Sequence, residues 1–419
     1  MLTRKQKALC NISRSSVPEG KDRRTRIRIG KKASLNEGGL IAFKKCPKPH
    51  HYHPEEWIFK QYVDDRLALF NEKNLAMAEN QLAQIEAGVS EFMRFLMATP
   101  DTADRACKVR AVINTYDNGK ACGVLIKKFS NFVSFYDWIK KSGKFSNAEL
   151  INYKFASLVT ASLAMQEIDL SVNNYGVIPG TTPKLVRIDF DRSCASYTLV
   201  KNYEIKNQQG EYEPLNIEHV TVEDLEHILT LPSLKVDAWP ILDAKFFKDG
   251  EEGLKKLEDN QDFRLDKWQT LLRLFLLDKN KIHQIWADHV SNPKLINKLT
   301  TLLDNFYTTI KNEMVKSADL YNLIITQGDY FSTYIINSVS NYNSTTYKNK
   351  NLYIPVDKDI IAKIFDLIKS THKPSPVITP SPLLPPHELR RPPTFFQPAP
   401  PSLPTPPLNF WQRCLRFLE

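Results

Sequence analysis

The chain has 419 residues, 42% of them hydrophobic and 25% charged, with a net charge of +10. That length buries one large core or two ordinary ones, and the composition excludes a fibrous or wholly disordered protein. No run reaches the roughly 18 apolar residues of a membrane span, and the first ten residues lack the apolar stretch of a Sec signal peptide. Six cysteines (Cys10, Cys46, Cys107, Cys122, Cys194, Cys414) stand without Cys-x-x-Cys pairing, which suits a reducing compartment better than a disulfide framework.

Eleven Lys and Arg residues crowd the first 32 positions. Such density attracts phosphate, whether on an anionic membrane, a nucleic acid or a nucleotide. No aromatic residues are interleaved with it, which argues against nucleic acid. Residues 1–23 are expected to be a basic disordered arm. Arg24–Ile29 alternates and Leu40–Phe43 is apolar, with Gly38 and Gly39 near the turn between them, so a hairpin is expected there. Cys46 with His50, His51 and His53 reads as a polar loop, because the second Cys pair of a zinc site is missing. Trp57–Tyr62 reads as a third strand with Lys60 in its middle. Residues 74–97 carry Leu75, Ala78, Leu82, Ile85, Val89, Phe92 and Leu96 at helical spacing. Two further strands, 108–113 and 121–126, flank Asp117-Asn-Gly119, a tight-turn signal.

An apolar helix is expected over Leu150–Met165. Val177-Ile178 and Leu185–Ile188 read as a small hairpin, since Gly180 and Pro183 punctuate two β-branched runs. Helices follow at 221–230, around 241–258, and at 263–278, 279–290, 293–316 and 358–370. Beyond them, fourteen of the 26 prolines fall between Pro374 and Pro407, which predicts an extended Pro-rich linker over 373–407. Pro382-Leu-Leu-Pro385 and Pro401-Ser-Leu-Pro404 fit the Pro-x-x-Pro pattern read by SH3 domains. A plain spacer fits them equally. Residues 408–419 are apolar and basic, the pattern of a short amphipathic tip.

The chemistry concentrates between Glu167 and Asp191. Asp169 is followed five residues later by Asn174, and Asp189 closes an apolar strand fifteen residues beyond. Phosphoryl transfer requires a carboxylate to orient the attacking hydroxyl, and an amide oxygen and second carboxylate to hold Mg²⁺ on the ATP phosphates. Asp169 fits the first role; Asn174 and Asp189 fit the second. A lysine for the ATP phosphates, held by a helix carboxylate, is also required. Lys60 is the first candidate, because an unpaired ammonium in an apolar strand is costly; Lys44 is the second. Glu86, bordering the apolar stripe of its helix, is preferred as the carboxylate over Glu91 and Glu79. Lys127–Ser130 takes the place of the hinge that meets adenine. Gly30, Gly38 and Gly39 do not form Gly-x-Gly-x-x-Gly.

The stretches Glu167–Ile178, Arg187–Asp191, Trp57–Lys60, Glu86–Arg94 and Leu231–Pro240 resemble an atypical kinase-like domain of bacterial type IV secretion effectors, similar in fold to phosphoinositide kinases. The resemblance covers roughly residues 25–315. It implies an α+β, two-lobed protein-kinase-like fold: a β-rich N-lobe over 24–130, a helical C-lobe over 131–372, and a disordered Pro-rich tail. It implies ATP and Mg²⁺ as cofactors, a host phosphoinositide as acceptor, and delivery into a host cell by a non-Sec route. Two departures stand out: Ser171 replaces the His usual two residues after the catalytic Asp, and Phe190-Asp191 replaces Phe-Gly after the metal Asp. Asp191 becomes a candidate extra metal ligand. A protein kinase, a catalytically weak pseudokinase that binds host proteins through the tail, and nucleotidyl transfer are the alternatives.

Overall fold

Close approach at glycine and hydrogen bonds from buried arginine fix how several elements of this chain meet within a large hydrophobic core. The computed structural model describes residues 75–112, 123–198, 218–235, 240–346 and 349–372, with the strands Arg26–Arg28, Trp57–Gln61, Glu204–Lys206 and Tyr212–Pro214. Met1–Lys373 forms one unit and Pro374–Glu419 a second. The basic arm, the Leu40–Phe43 strand, the Cys46/His cluster, Lys44 and the second unit lie outside the described residues.

The fold is mixed α+β, mostly helical with small sheets. Strands β1 (Arg26–Arg28), β2 (Trp57–Gln61), β3 (Val109–Val112) and β4 (Gly123–Lys127) form an antiparallel sheet in the order β1-β2-β4-β3. Helix α1 (Leu75–Leu96) packs on β3 and β4. The chain then passes directly from β4 to β5 (Val133–Ser134), the first strand of a second sheet with β6 (Tyr175–Ile178) and β7 (Lys184–Arg187). Residues 128–132, which contain most of the expected hinge Lys127–Ser130, are thus the link between the sheets. Gly176 is required here: a Cβ would stand 2.4 Å from the Val133 carbonyl oxygen and from the Phe132 ring.

Helix α2 (Phe135–Ser142) starts at Ser134, whose hydroxyl accepts the Asp137 N–H at 3.0 Å, and ends at Gly143 with φ 82°. The single helix expected over Leu150–Met165 is two helices, α3 (Asn147–Asn152) and α4 (Phe155–Ala164). The break has a cause. Lys154 adopts φ 59°, and the buried Arg105 guanidinium takes the carbonyls of Tyr153 (3.0 Å) and Lys154 (2.7 Å), while Asp266 accepts the Ser157 N–H at 2.9 Å. Every residue of α4 is buried.

Helix α5 (Ala195–Thr198) and a small hairpin, β8 (Glu204–Lys206) with β9 (Tyr212–Pro214), follow the second sheet. The helix expected at 221–230 is α6 (Val222–Glu226) and a 3₁₀ turn, Ile228–Thr230. That expected around 241–258 is a 3₁₀ turn, Ala244–Phe246, and α7 (Gly250–Asp259), separated because Gly250 takes φ 59°. That at 263–278 is α8 (Gln261–Leu272) ending in a 3₁₀ turn, Arg273–Leu276. Helices α9 (Lys279–His289), α10 (Pro293–Met314) and α12 (Lys358–Thr371) fall close to expectation. Between the last two, α11 (Ala318–Thr346), kinked at Gln327, was not expected.

From Gln81 to Ala98 every residue of α1 and its exit is buried, so this stretch of the helix is enclosed rather than amphipathic. Trp286 of α9 covers Gly88 and packs against Phe92 with ring centroids 5.2 Å apart. Arg273 donates to the carbonyls of Phe95 (3.2 Å) and Leu96 (2.6 Å), and Arg105 to that of Met97 (3.4 Å). These are the carbonyls that a helix C-terminus leaves without intrahelical donors.

Candidate active site

Antiparallel pairing of β6 with β7 matches Tyr175 to Arg187 at the open end of the hairpin. Asn174 precedes Tyr175 and Ile188 follows Arg187, and the Ile188 N–H donates to the Asn174 carbonyl at 2.8 Å. The pairing therefore brings Asn174 to the segment that carries Asp189. Asp189 itself adopts φ 68°, a region that non-glycine residues seldom occupy and that clusters at functional sites. The Asp169 loop is held to the same end from the other side. The Leu170 carbonyl accepts the Ile241 N–H at 2.8 Å, and Ser171 bridges Pro240.

A buried ion pair joins the two halves of the site. Glu167 and Arg187, both with fully buried side chains, approach to 2.5 Å. Glu167 also accepts the Asp169 N–H at 2.8 Å and the Ser193 hydroxyl. Arg187 donates to the Asp189 carbonyl at 2.8 Å and to the Tyr175 hydroxyl. One pair thus grips the backbone of both candidate catalytic aspartates. Burial pushes the Glu167 carboxyl up, opposed by Arg187 and by its hydrogen bonds, while Glu167 raises Arg187 against its own desolvation. Glu167 and the two terminal guanidinium nitrogens of Arg187 are met by hydrogen-bonding partners, as a buried charged pair requires.

Of the α1 glutamates whose side chains are described, Glu86 reaches this place: its Oε1 accepts the Phe190 N–H at 3.4 Å, one residue past Asp189. Glu91 instead pairs with Arg94 at 2.8 Å and faces His289. Lys60 stands opposite Val124 in the β2–β4 register; Val124 and Val109 are buried. The side chains of Lys60 and Glu79 lie outside the described residues. Cys107 sits beside Asp189 and Glu86, and burial together with both carboxylates pushes its thiol up.

Asp169 and Asn174 are 7% and 6% exposed. The Asn174 amide nitrogen donates back to the Asp169 carbonyl at 3.4 Å, which leaves the amide oxygen as the end a cation would meet. Among the described residues no three His, Cys, Asp or Glu side chains converge as a ligand group. The candidate donors are mixed: the Asn174 amide, the Asp189 carboxylate and, two residues on, Asp191. Such hard oxygens fit Mg²⁺, which keeps several waters and needs few protein ligands. The Asp169 carboxylate lies 3.5 Å from Arg192 Nε.

Glu167, Arg187, Ser193 and Arg192 were not singled out from sequence. Arg187 carries the signal that marked Lys60, a charge inside an apolar strand. Glu167 had only its place two residues before Asp169. Comparison with known protein families finds no family model that matches the chain, and comparison with curated proteins finds no match.

Proposed function

We propose that this chain is an ATP- and Mg²⁺-dependent phosphotransferase built on a two-lobed kinase-like plan. The four-stranded sheet with α1 makes the smaller lobe and the helices from Phe135 onward the larger. The observation that carries this reading is the Glu167–Arg187 pair, which ties the Asp169 loop to the Asp189 segment at the open end of the β6–β7 hairpin. An ordinary hairpin with a solvated aspartate at each end has no need of a buried ion pair between them.

In this reading Asn174 and Asp189 would hold Mg²⁺, which supplies charge neutralisation on the nucleotide phosphates. Asp169 accepts the proton of the attacking hydroxyl, oriented through its N–H by Glu167. Glu86 fixes the turn after Asp189 through the Phe190 N–H, and Lys60 is assigned to the α- and β-phosphates. We assign the acceptor to a phosphoinositide head group on an anionic host membrane, supported by the eleven basic residues of the first 32. Delivery into a host cell and an SH3-type partner for the Pro-rich tail belong to the same proposal. Among the described residues no helix is long and apolar enough to cross a membrane.

Thermal denaturation with ATP plus Mg²⁺, against ATP plus chelator, tests the site. A ligand bound only by the native state stabilises by RT ln(1 + [L]/Kd). The wild type should show a Mg²⁺-dependent rise in Tm that Asp189→Ala loses while remaining folded. A variant that keeps the full shift removes Asp189 from the metal site.

A further inference from the structure

We propose that Arg192 is a catalytic residue that meets the negative charge developing on the transferred phosphoryl group; this rests on the kinase reading above. Arg192 stands three residues after Asp189, and its Nε lies 3.5 Å from Asp169 Oδ2. One guanidinium is therefore within ion-pairing distance of the candidate base while belonging to the turn that carries the candidate metal carboxylate. The two arginines of this segment differ in exposure. Arg187 is enclosed, its guanidinium committed to Glu167, Tyr175 and the Asp189 carbonyl. The Arg192 side chain is 32% exposed and its Asp169 partner 9%, so this pair sits at the open side of the site.

Charge gives the pair its purpose. Glu86, Glu167, Asp169, Asp189 and Asp191 all belong to or touch this turn and loop, and a nucleoside triphosphate brings further negative charge. In the resting site Asp169 holds the guanidinium in place. During transfer the acceptor oxygen bonds to the γ-phosphorus, and the bond to the β–γ bridging oxygen breaks with its electron pair leaving on ADP. The acceptor proton passes to Asp169. As that carboxylate loses its charge, its hold on Arg192 weakens, just as charge shifts on the phosphoryl oxygens nearby. A guanidinium whose attraction moves from carboxylate to phosphoryl binds the transition state better than the ground state. The planar fork of arginine addresses both oxygens at once, which a lysine ammonium does less well.

The test needs no knowledge of the acceptor. Titration calorimetry on the full chain compares MgADP alone with MgADP plus aluminium fluoride, a mimic of the transferring phosphoryl group. The wild type should gain affinity from the fluoride. Arg192→Ala should lose about a hundredfold of affinity for the fluoride complex, with MgADP binding little changed. Arg192→Lys should recover part of it, as should guanidinium ion added to Arg192→Ala. If Arg192→Ala binds the fluoride complex as tightly as the wild type, or if the wild type gains nothing from fluoride, the assignment is overturned and the kinase reading stands. An equal loss for MgADP and for the complex makes Arg192 a nucleotide-binding residue and likewise overturns it. A folded wild type that binds neither MgADP nor the complex removes both readings together.

Discussion

Glu167 and Arg187 show why the worth of a residue here depends on its partner. Each is fully buried, so removing one charge strands the other in a medium that solvates it poorly. Glu167→Gln should therefore cost about 3–5 kcal/mol in urea unfolding, the range for breaking a buried pair. Replacing both, as Glu167→Gln with Arg187→Met, should recover part of that loss, because no uncompensated charge remains. A single variant within experimental error of wild type would show that the pair is not ionised. Asp169, Asn174 and Asp189 stand out in sequence by a spacing that phosphoryl transfer would require, and the β6–β7 pairing brings Asn174 to the Asp189 segment. The pair beneath them does not stand out, since nothing along the chain announces that Glu167 and Arg187, twenty positions apart, face each other.

Helices were legible only where apolar spacing determines them. Helix α10, with Leu295, Leu299, Leu303, Phe306 and Ile310 buried along one side, was bounded within two residues. Helix α11 is rich in Ser, Thr, Asn and Tyr, weak helix formers that read as loop. It forms because Leu320, Leu323, Ile324, Phe331, Ile335, Val339 and Tyr342 are buried, and because Asn341 donates to the Thr99 and Pro100 carbonyls at 3.1 Å. Tertiary contact overrides propensity there. At α3–α4 it does the reverse, breaking an apolar run that propensity would continue. Close approach between elements also sets a sharp limit at Gly88, where a Cβ would stand 2.3 Å from the Trp286 ring. Alanine is favoured over glycine in a helix by about 1 kcal/mol, but overpacking costs about 1–3 kcal/mol. Gly88→Ala should lower Tm, and a Tm equal to or above wild type would mean that α9 yields without strain.

Across the whole unit, acid should be destabilising through the cluster where α1, α9 and α11 meet. Burial pushes His289 down to about 4, with Arg110 and Lys108 adding to it against Glu91 and Asp288. Its unfolded value is 6.5, so between those two pH values the unfolded chain binds the proton and the folded one does not. Stability from this site is therefore lost as pH falls from 6.5 to about 4. Burial pushes Glu91 up, but Arg94, His289, Arg110 and Lys108 outweigh it and hold it at about 2 against an ordinary 4.5. That contribution is present above pH 4.5 and drains away below it. Unfolding free energy measured from pH 7 to 4 should fall less steeply in His289→Gln than in wild type; parallel curves would place the proton uptake elsewhere. The same junction has a consequence for control. The carbonyls that end α1 are taken by Arg273 and Arg105, and its flanks lie under Trp286 and Tyr342. On the kinase reading Glu86 reaches the Phe190 N–H from a helix anchored at its end and along its flank, so a tilt of that helix would have to break these contacts together.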